Sequence, residues 1–120
     1  FTEIDHNYVN PITNRKENLE KVVKIFSDLD KWNRQSSYRR ATLTFNEYMT
    51  WGAACLYAYD TYPASDYENI LKATISTMNR RGFVRFEKFY NQLFYLYKNR
   101  DEGLSLFDLY PEILKWAEKV

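Results

Sequence analysis

Histidine and cysteine are nearly missing from this chain, which has one of each, His6 and Cys55. A Ser/His/Asp or Cys/His nucleophile needs a histidine close by, and one histidine in the N-terminal stretch does not supply it. Zinc sites draw on clusters of the same two residues. The lone cysteine excludes an internal disulfide and, between Ala54 and Leu56, reads as a small packed hydrophobe. Glycine is scarce as well. Gly52, Gly82 and Gly103 stand apart, so no glycine-rich loop can cradle a phosphate. No apolar run reaches ~18 residues, the length that reads as a membrane-spanning helix. The formal net charge is +1, which gives no electrostatic case for nucleic acid. The carboxylates are scattered, with no acid/base couple among them. These absences point away from an enzyme, and no catalytic residue, metal ligand or cofactor is assigned.

What the chain has is aromatic mass. Eleven Tyr, eight Phe and three Trp make 18% of its 120 residues. This length is one domain that buries roughly two-thirds of its unfolded surface, and the aromatics imply a thick core that needs neither disulfide nor metal. No Asn-x-Ser/Thr sequon is present. The first residue is Phe1, which reads as the start of a processed mature protein or of a trimmed fragment.

One stretch occurs twice. Arg80-Arg81-Gly82-Phe83-Val84-Arg85-Phe86-Glu87-Lys88-Phe89 repeats Arg39-Arg40-Ala41-Thr42-Leu43-Thr44-Phe45-Asn46-Glu47-Tyr48 at an offset of 41 residues. Each copy passes from two arginines and a small residue, through an aliphatic, to Phe-x-x-aromatic. This is the mark of one supersecondary unit used twice.

Residues 1–13 read as an arm. Asn14 with Glu17 suits a helix start, and Leu19, Val22, Val23, Phe26 and Leu29 keep helical spacing to about Asp30. A loop follows to Arg40, then a short extended segment, Thr42-Leu43-Thr44. Thr44 with Glu47 forms a capping-box pattern, and Phe45, Tyr48, Met49, Gly52, Leu56 and Tyr59 share a helix face. Gly52 on that face would let another helix approach. Tyr62-Pro63 ends this helix. Ser65 with Glu68 opens the next, with Tyr67, Ile70, Leu71, Thr74, Ile75 and Met78 as its stripe. Phe83-Val84-Arg85 is the second extended segment. Phe86, Phe89, Tyr90, Leu93, Phe94 and Tyr97 make the third stripe. Pro111 starts a last helix. The expected core is Val22, Phe26, Phe45, Tyr48, Met49, Ile70, Leu71, Ile75, Phe86, Phe89, Leu93 and Phe94. The expected fold is all-α: two stacked helix-loop-helix hairpins over residues 14–103, a minimal two-stranded bridge near Leu43 and Val84, and a fifth helix in a tail over residues 104–120.

At Gly82-Phe83-Val84-Arg85-Phe86-Glu87-Lys88-Phe89 the sequence resembles the second half of an EF-hand: a turn glycine, an aliphatic two residues on, an exiting helix. The first copy looks similar, with Ala41, Leu43, and Glu47 at the place of the last ligand. Phe26-x-x-x-Asp30 resembles an entering helix running into a first ligand. The likeness covers residues 19–97. From Gly82 to Asp108 the chain is similar to the C-terminal end of sarcoplasmic calcium-binding proteins and calexcitins, in which a hand with lost ligands precedes a short closing tail. The ligands do not carry over. An EF-hand loop needs oxygens at positions 1, 3 and 5, a turn glycine at 6 and a bidentate Glu at 12. With Gly82 at position 6, those ligand positions fall on Thr77, Asn79, Arg81 and Lys88, and the two cations would repel a divalent ion. Counting back from Glu47 puts Ser36, Tyr38 and Arg40 at the first three. From Asp30 to Glu47 the loop is six residues too long for the same motif.

The resemblance implies a metal-free EF-hand-like module that binds a protein partner or an apolar ligand without calcium; its tail helix, around Leu114 and Trp116, would fill the groove between the hands. The alternative is a processed secreted protein that blocks an extracellular protein through a basic and aromatic surface. A fragment of an EF-hand protein would be cytoplasmic, and a processed N-terminus would mean secretion. The expected partner-binding residues are the arginines Arg39, Arg40, Arg80 and Arg81, brought together if the loops pair, with Trp32 and Tyr38 as exposed aromatic anchors.

Overall fold

Twelve consecutive residues, Tyr48 to Tyr59, carry no charge, and they form the middle of the longest helix. In the structure, a computed structural model that describes residues 16–34 and 40–120, the helices are α1 (Lys16–Phe26), the short α2 (Leu29–Trp32), α3 (Ala41–Thr61), α4 (Ala64–Arg80), α5 (Phe86–Lys98) and α6 (Tyr110–Lys119), with a 3₁₀ turn at Leu106–Leu109 before α6. No strand forms among the described residues, so the chain is all-α. The central α3 packs against α1, α4 and α5, and α6 lies on α1 and α5.

The helix ends follow from single residues. Tyr62 turns extended (φ −105°, ψ 158°) because the ring of Pro63 clashes with a helical residue before it. At the end of α4, Gly82 takes φ 97°, which costs glycine little and any other residue more. Its N–H donates to the Asn79 carbonyl, and the Phe83 N–H reaches back to Met78 at 2.9 Å. This is a Schellman closure, and its apolar pair, Phe83 and Met78, is buried. Pro111 sits in the first turn of α6, as expected. Ahead of it, Asp108 accepts from the N–H and hydroxyl of Ser105 at 2.8 and 3.1 Å.

Gly52 also has the expected role. A Cβ there would stand 2.8 Å from Leu93 Cδ2, so α3 and α5 approach through the space glycine leaves. Around this crossing lie Phe26, Phe45, Tyr48, Met49, Phe83, Phe86, Phe89 and Leu93, all buried. Phe45 is 5.0 Å from Phe26 and meets Tyr110 edge-on at 5.6 Å between ring centroids.

Three expectations are corrected. The two-stranded bridge at Leu43 and Val84 does not form. Thr42-Leu43-Thr44 lies in the first turns of α3, and residues 83–85 are coil and turn. The helix starts four residues early, with Arg40 as N-cap, and the Thr44 hydroxyl is not a cap: it accepts from Asn33 Nδ2 at 3.1 Å. Glu47, its supposed partner, accepts from Trp51 Nε1 at 3.0 Å. Neither is a capping box found at Ser65 and Glu68, because α4 begins two residues earlier with Pro63 as N-cap. The α4 stripe is not core either. Ile70 is 37% exposed and Leu71 and Ile75 are half-buried, because α4 packs on α3 and α5 and only Met78 on it is buried. Phe94 is half-buried as well.

Candidate partner-binding surface

The two loops of the repeat do meet, though not where expected. The Arg34 N–H donates to the Gly82 carbonyl at 2.9 Å. The Tyr48 hydroxyl sits between the same loops, donating to the Trp32 carbonyl at 2.6 Å and accepting from the Arg85 N–H at 3.3 Å. Burial raises the pKa of this phenol, and the N–H and charge of Arg85 pull it partly back. A buried neutral hydroxyl that satisfies two backbone groups fixes both loops to one core residue.

This stitching gathers arginines. Arg80 and Arg81 precede Gly82, and Arg85 follows it. Arg34 is bonded to it, and Arg40 opens α3 on the loop side. Arg81 Nη1 pairs with Glu47 Oε2 at 3.4 Å and its guanidinium lies over the Phe83 ring. Arg80 donates to the Thr77 hydroxyl at 3.2 Å. Arg34 Nε donates to the Asp30 carbonyl at 2.7 Å, and Arg85 lies 5.9 Å from the centre of the Trp32 ring. The loop end therefore carries five described arginines, of which Arg81 has a carboxylate partner among the described residues. Arg40, Arg80 and Arg81 are exposed. Arg39 and Tyr38 lie outside the described residues.

Trp32 is the correction here. It is fully buried, with its ring 4.4 Å from Phe26 and 6.4 Å from Trp116. The short helix α2, read as loop from the sequence, turns it inward, so it cannot anchor a partner. Its indole N–H finds no acceptor among the described residues. Arg34 and Arg85 were missed. Arg85 stood in the expected extended segment, and Arg34 in a loop without period. The available signal was their nearness to the two Arg-Arg pairs.

Two further surfaces matter. A cleft of about 320 Å³ between α3 and α4 is lined by Trp51, Ala54, Tyr57, Ala58, Tyr62, Ile70 and Thr74. At the far end of α3, the Asp60 carboxylate accepts from the Tyr97 hydroxyl, whose pKa is raised by burial and by that carboxylate. Arg100 lies over the Tyr97 ring at 3.7 Å and donates to the Tyr97 and Leu104 carbonyls, which sets the turn after α5. Cys55 is buried. Burial pushes its thiol up to about 11, so it is a poor nucleophile near neutrality. Asp28, Asp30 and Glu47 form no metal-holding group, and no such group of His, Cys, Asp and Glu occurs among the described residues. No described helix is long and apolar enough to cross a membrane.

No family model, no curated protein and no solved structure matches this chain.

Proposed function

We propose that this chain is a non-catalytic binding module, an EF-hand-like pair of hairpins that has lost calcium binding, and that it holds an acidic protein partner at its arginine end. The observation that carries the reading is the joined loops: Gly82 bonded to Arg34, with Tyr48 tying Trp32 to Arg85. Loops held to each other by backbone bonds are the part of an EF-hand pair that would outlast its metal. They also support a rigid array of guanidiniums, whose planar forks suit carboxylates. The groove between hairpins, where an EF-hand pair would take a partner's helix, is closed to one by the chain's own α6. Ile113, Leu114 and Ala117 are buried there, and Trp116 meets Phe89 edge-on at 6.1 Å. Binding then falls to the outer surface.

The test has two arms. A calorimetric titration with calcium should give no site, and melting temperature should be the same in millimolar calcium and in chelator, because a ligand that binds only the native state raises it. Immobilised polyglutamate, as a carboxylate-dense probe, should retain the protein at low salt and release it as salt rises. The triple variant Arg34→Gln, Arg40→Gln, Arg80→Gln should lose retention with unchanged melting. Equal retention of the variant would refute the site, and a micromolar calcium site lost in Glu47→Gln would refute the metal-free reading.

A further inference from the structure

The uncharged run of α3 has two faces, and the core uses one. Met49, Gly52 and Leu56 point inward and are buried; Cys55 and Ala58, buried as well, lie toward α4. On the other side Trp51, Ala54, Ala58 and Tyr62 follow one another at helical spacing, and with Ile70 and Thr74 of α4 they line the cleft described above. Tyr62 is 46% exposed, Tyr57 48% and Ile70 37%. Small alanines form the floor and aromatics the rim, and aromatics are enriched at interface cores.

The charges around this face are ordered. Asp66, Ile70, Thr74, Thr77 and Arg81 fall at i, i+4, i+8, i+11 and i+15, one side of α4. Its Tyr62 end therefore carries Asp66, in the first turn. Its Trp51 end carries Arg81 and Arg80. Glu47 takes one nitrogen of Arg81, and Arg80 has a hydroxyl partner, Thr77, so this end stays basic. The face is apolar at its centre, acidic at one end and basic at the other.

We propose that this face seats a second copy of the chain, antiparallel, about a twofold axis through the Ala54, Ala58 and Ile70 region. A twofold axis makes the same patch meet itself with its ends exchanged, so each copy's Arg81, with Arg80 next to it, faces the other's Asp66. A parallel arrangement would set arginine on arginine. This goes beyond the partner-binding reading and uses the side of the α3–α4 pair, sharing Arg80 and Arg81 with the loop end. Two helices side by side, the shorter of 17 residues, offer a projected face on the order of 500 Å², at the low end for a stable pair, so a weak, reversible dimer is expected.

Sedimentation equilibrium at low salt tests it, from micromolar to about millimolar chain. The expected result is a reversible dimer. Ile70→Lys, on an exposed position, should leave a monomer with wild-type melting. Arg80→Glu and Asp66→Lys should each weaken the dimer about tenfold, and the two together should restore it. A chain that stays monomeric over the whole range overturns the proposal and gives the face to a different partner. So does a dimer indifferent to Ile70→Lys. A double charge reversal that fails to recover overturns the antiparallel pairing. Ile70→Lys leaves every arginine in place, so this variant should keep polyglutamate retention while losing the dimer, and failure here and failure of the arginine-end reading are distinguishable.

Discussion

Gly52→Ala separates two effects of opposite sign at one position. In the middle of α3, alanine is worth about 1 kcal/mol over glycine from backbone propensity alone. Against that, the new Cβ would lie 2.8 Å from Leu93 Cδ2, well inside the ~3.5–4 Å optimum for two carbons. Leu93 is fully buried and cannot swing into solvent. Forcing a methyl into a filled site costs about 1–3 kcal/mol, so the net change is a loss of about 0–2 kcal/mol. The second background makes the reasoning sharp. Leu93→Ala costs about 2–5 kcal/mol as a cavity, but it removes the clashing atom. The next neighbour, Phe89 Cε1 at 3.8 Å, is in ordinary contact. In that background Gly52→Ala should stabilise by about 1 kcal/mol, giving a coupling of about 1–3 kcal/mol between the sites. Urea denaturation followed by tryptophan fluorescence reads all four proteins, with a constant slope as the check that the transition is unchanged. A gain of about 1 kcal/mol from Gly52→Ala in the wild-type background would refute the close approach of α3 and α5. So would equal effects in both backgrounds.

Tyr48→Phe should cost about 2 kcal/mol in the same assay, because it leaves the Trp32 carbonyl and the Arg85 N–H buried without their shared partner; a loss below about 0.5 kcal/mol would mean the loops are held by other contacts. Thr50→Val should stabilise by about 1 kcal/mol, since the Thr50 hydroxyl is buried with no partner among the described residues and such a group carries a desolvation cost; a clear loss would reveal a hydrogen bond at that hydroxyl. Melting temperature should fall as pH rises above about 9. Cys55 is pushed by burial to about 11, and burial also raises Tyr48, Tyr67 and Tyr90, so the folded state holds protons that the unfolded chain releases and loses stability between the two sets of values. A flat profile from pH 8 to 11 would contradict these burials.

Where one residue's covalent geometry decides the backbone, the sequence was enough. Pro63 and Pro111 bound helices, and Gly82 closes one with its positive φ. The 3.6-residue stripes of α3 and α5 read correctly where the two helices cross the centre, but at their far ends Tyr59 is exposed and Phe94 and Tyr97 are half-buried. What failed was local propensity at the loops. Thr42, Thr44 and Val84 favour extended backbone, yet Thr44 is held inside α3 by its bond to Asn33, a contact between residues eleven apart that no local pattern encodes. Trp32 failed for a related reason: an aperiodic stretch looks exposed, but a single turn of helix at Leu29–Trp32 is enough to drive the indole inward.

The arginine end was legible in part, because a repeat brings its two copies to equivalent places whatever secondary structure joins them. Arg80 and Arg81 could be named from that alone, while Arg34 came from the hydrogen bond at Gly82. The stripe on α4 teaches a different lesson. Periodicity reports that a helix has an apolar side; it does not say that the same chain covers it. On α3 and α5 the cover is internal. On α4 the spacing marks Ile70 as core and the fold leaves it exposed, in line with Tyr62 across the cleft. An apolar position patterned for burial but open in the single chain is either a stability cost without return or one half of a contact. The opposed charges at Asp66 and Arg81 suit the dipole of α4 as well, so it is the open Ile70 and Tyr62 that favour the second.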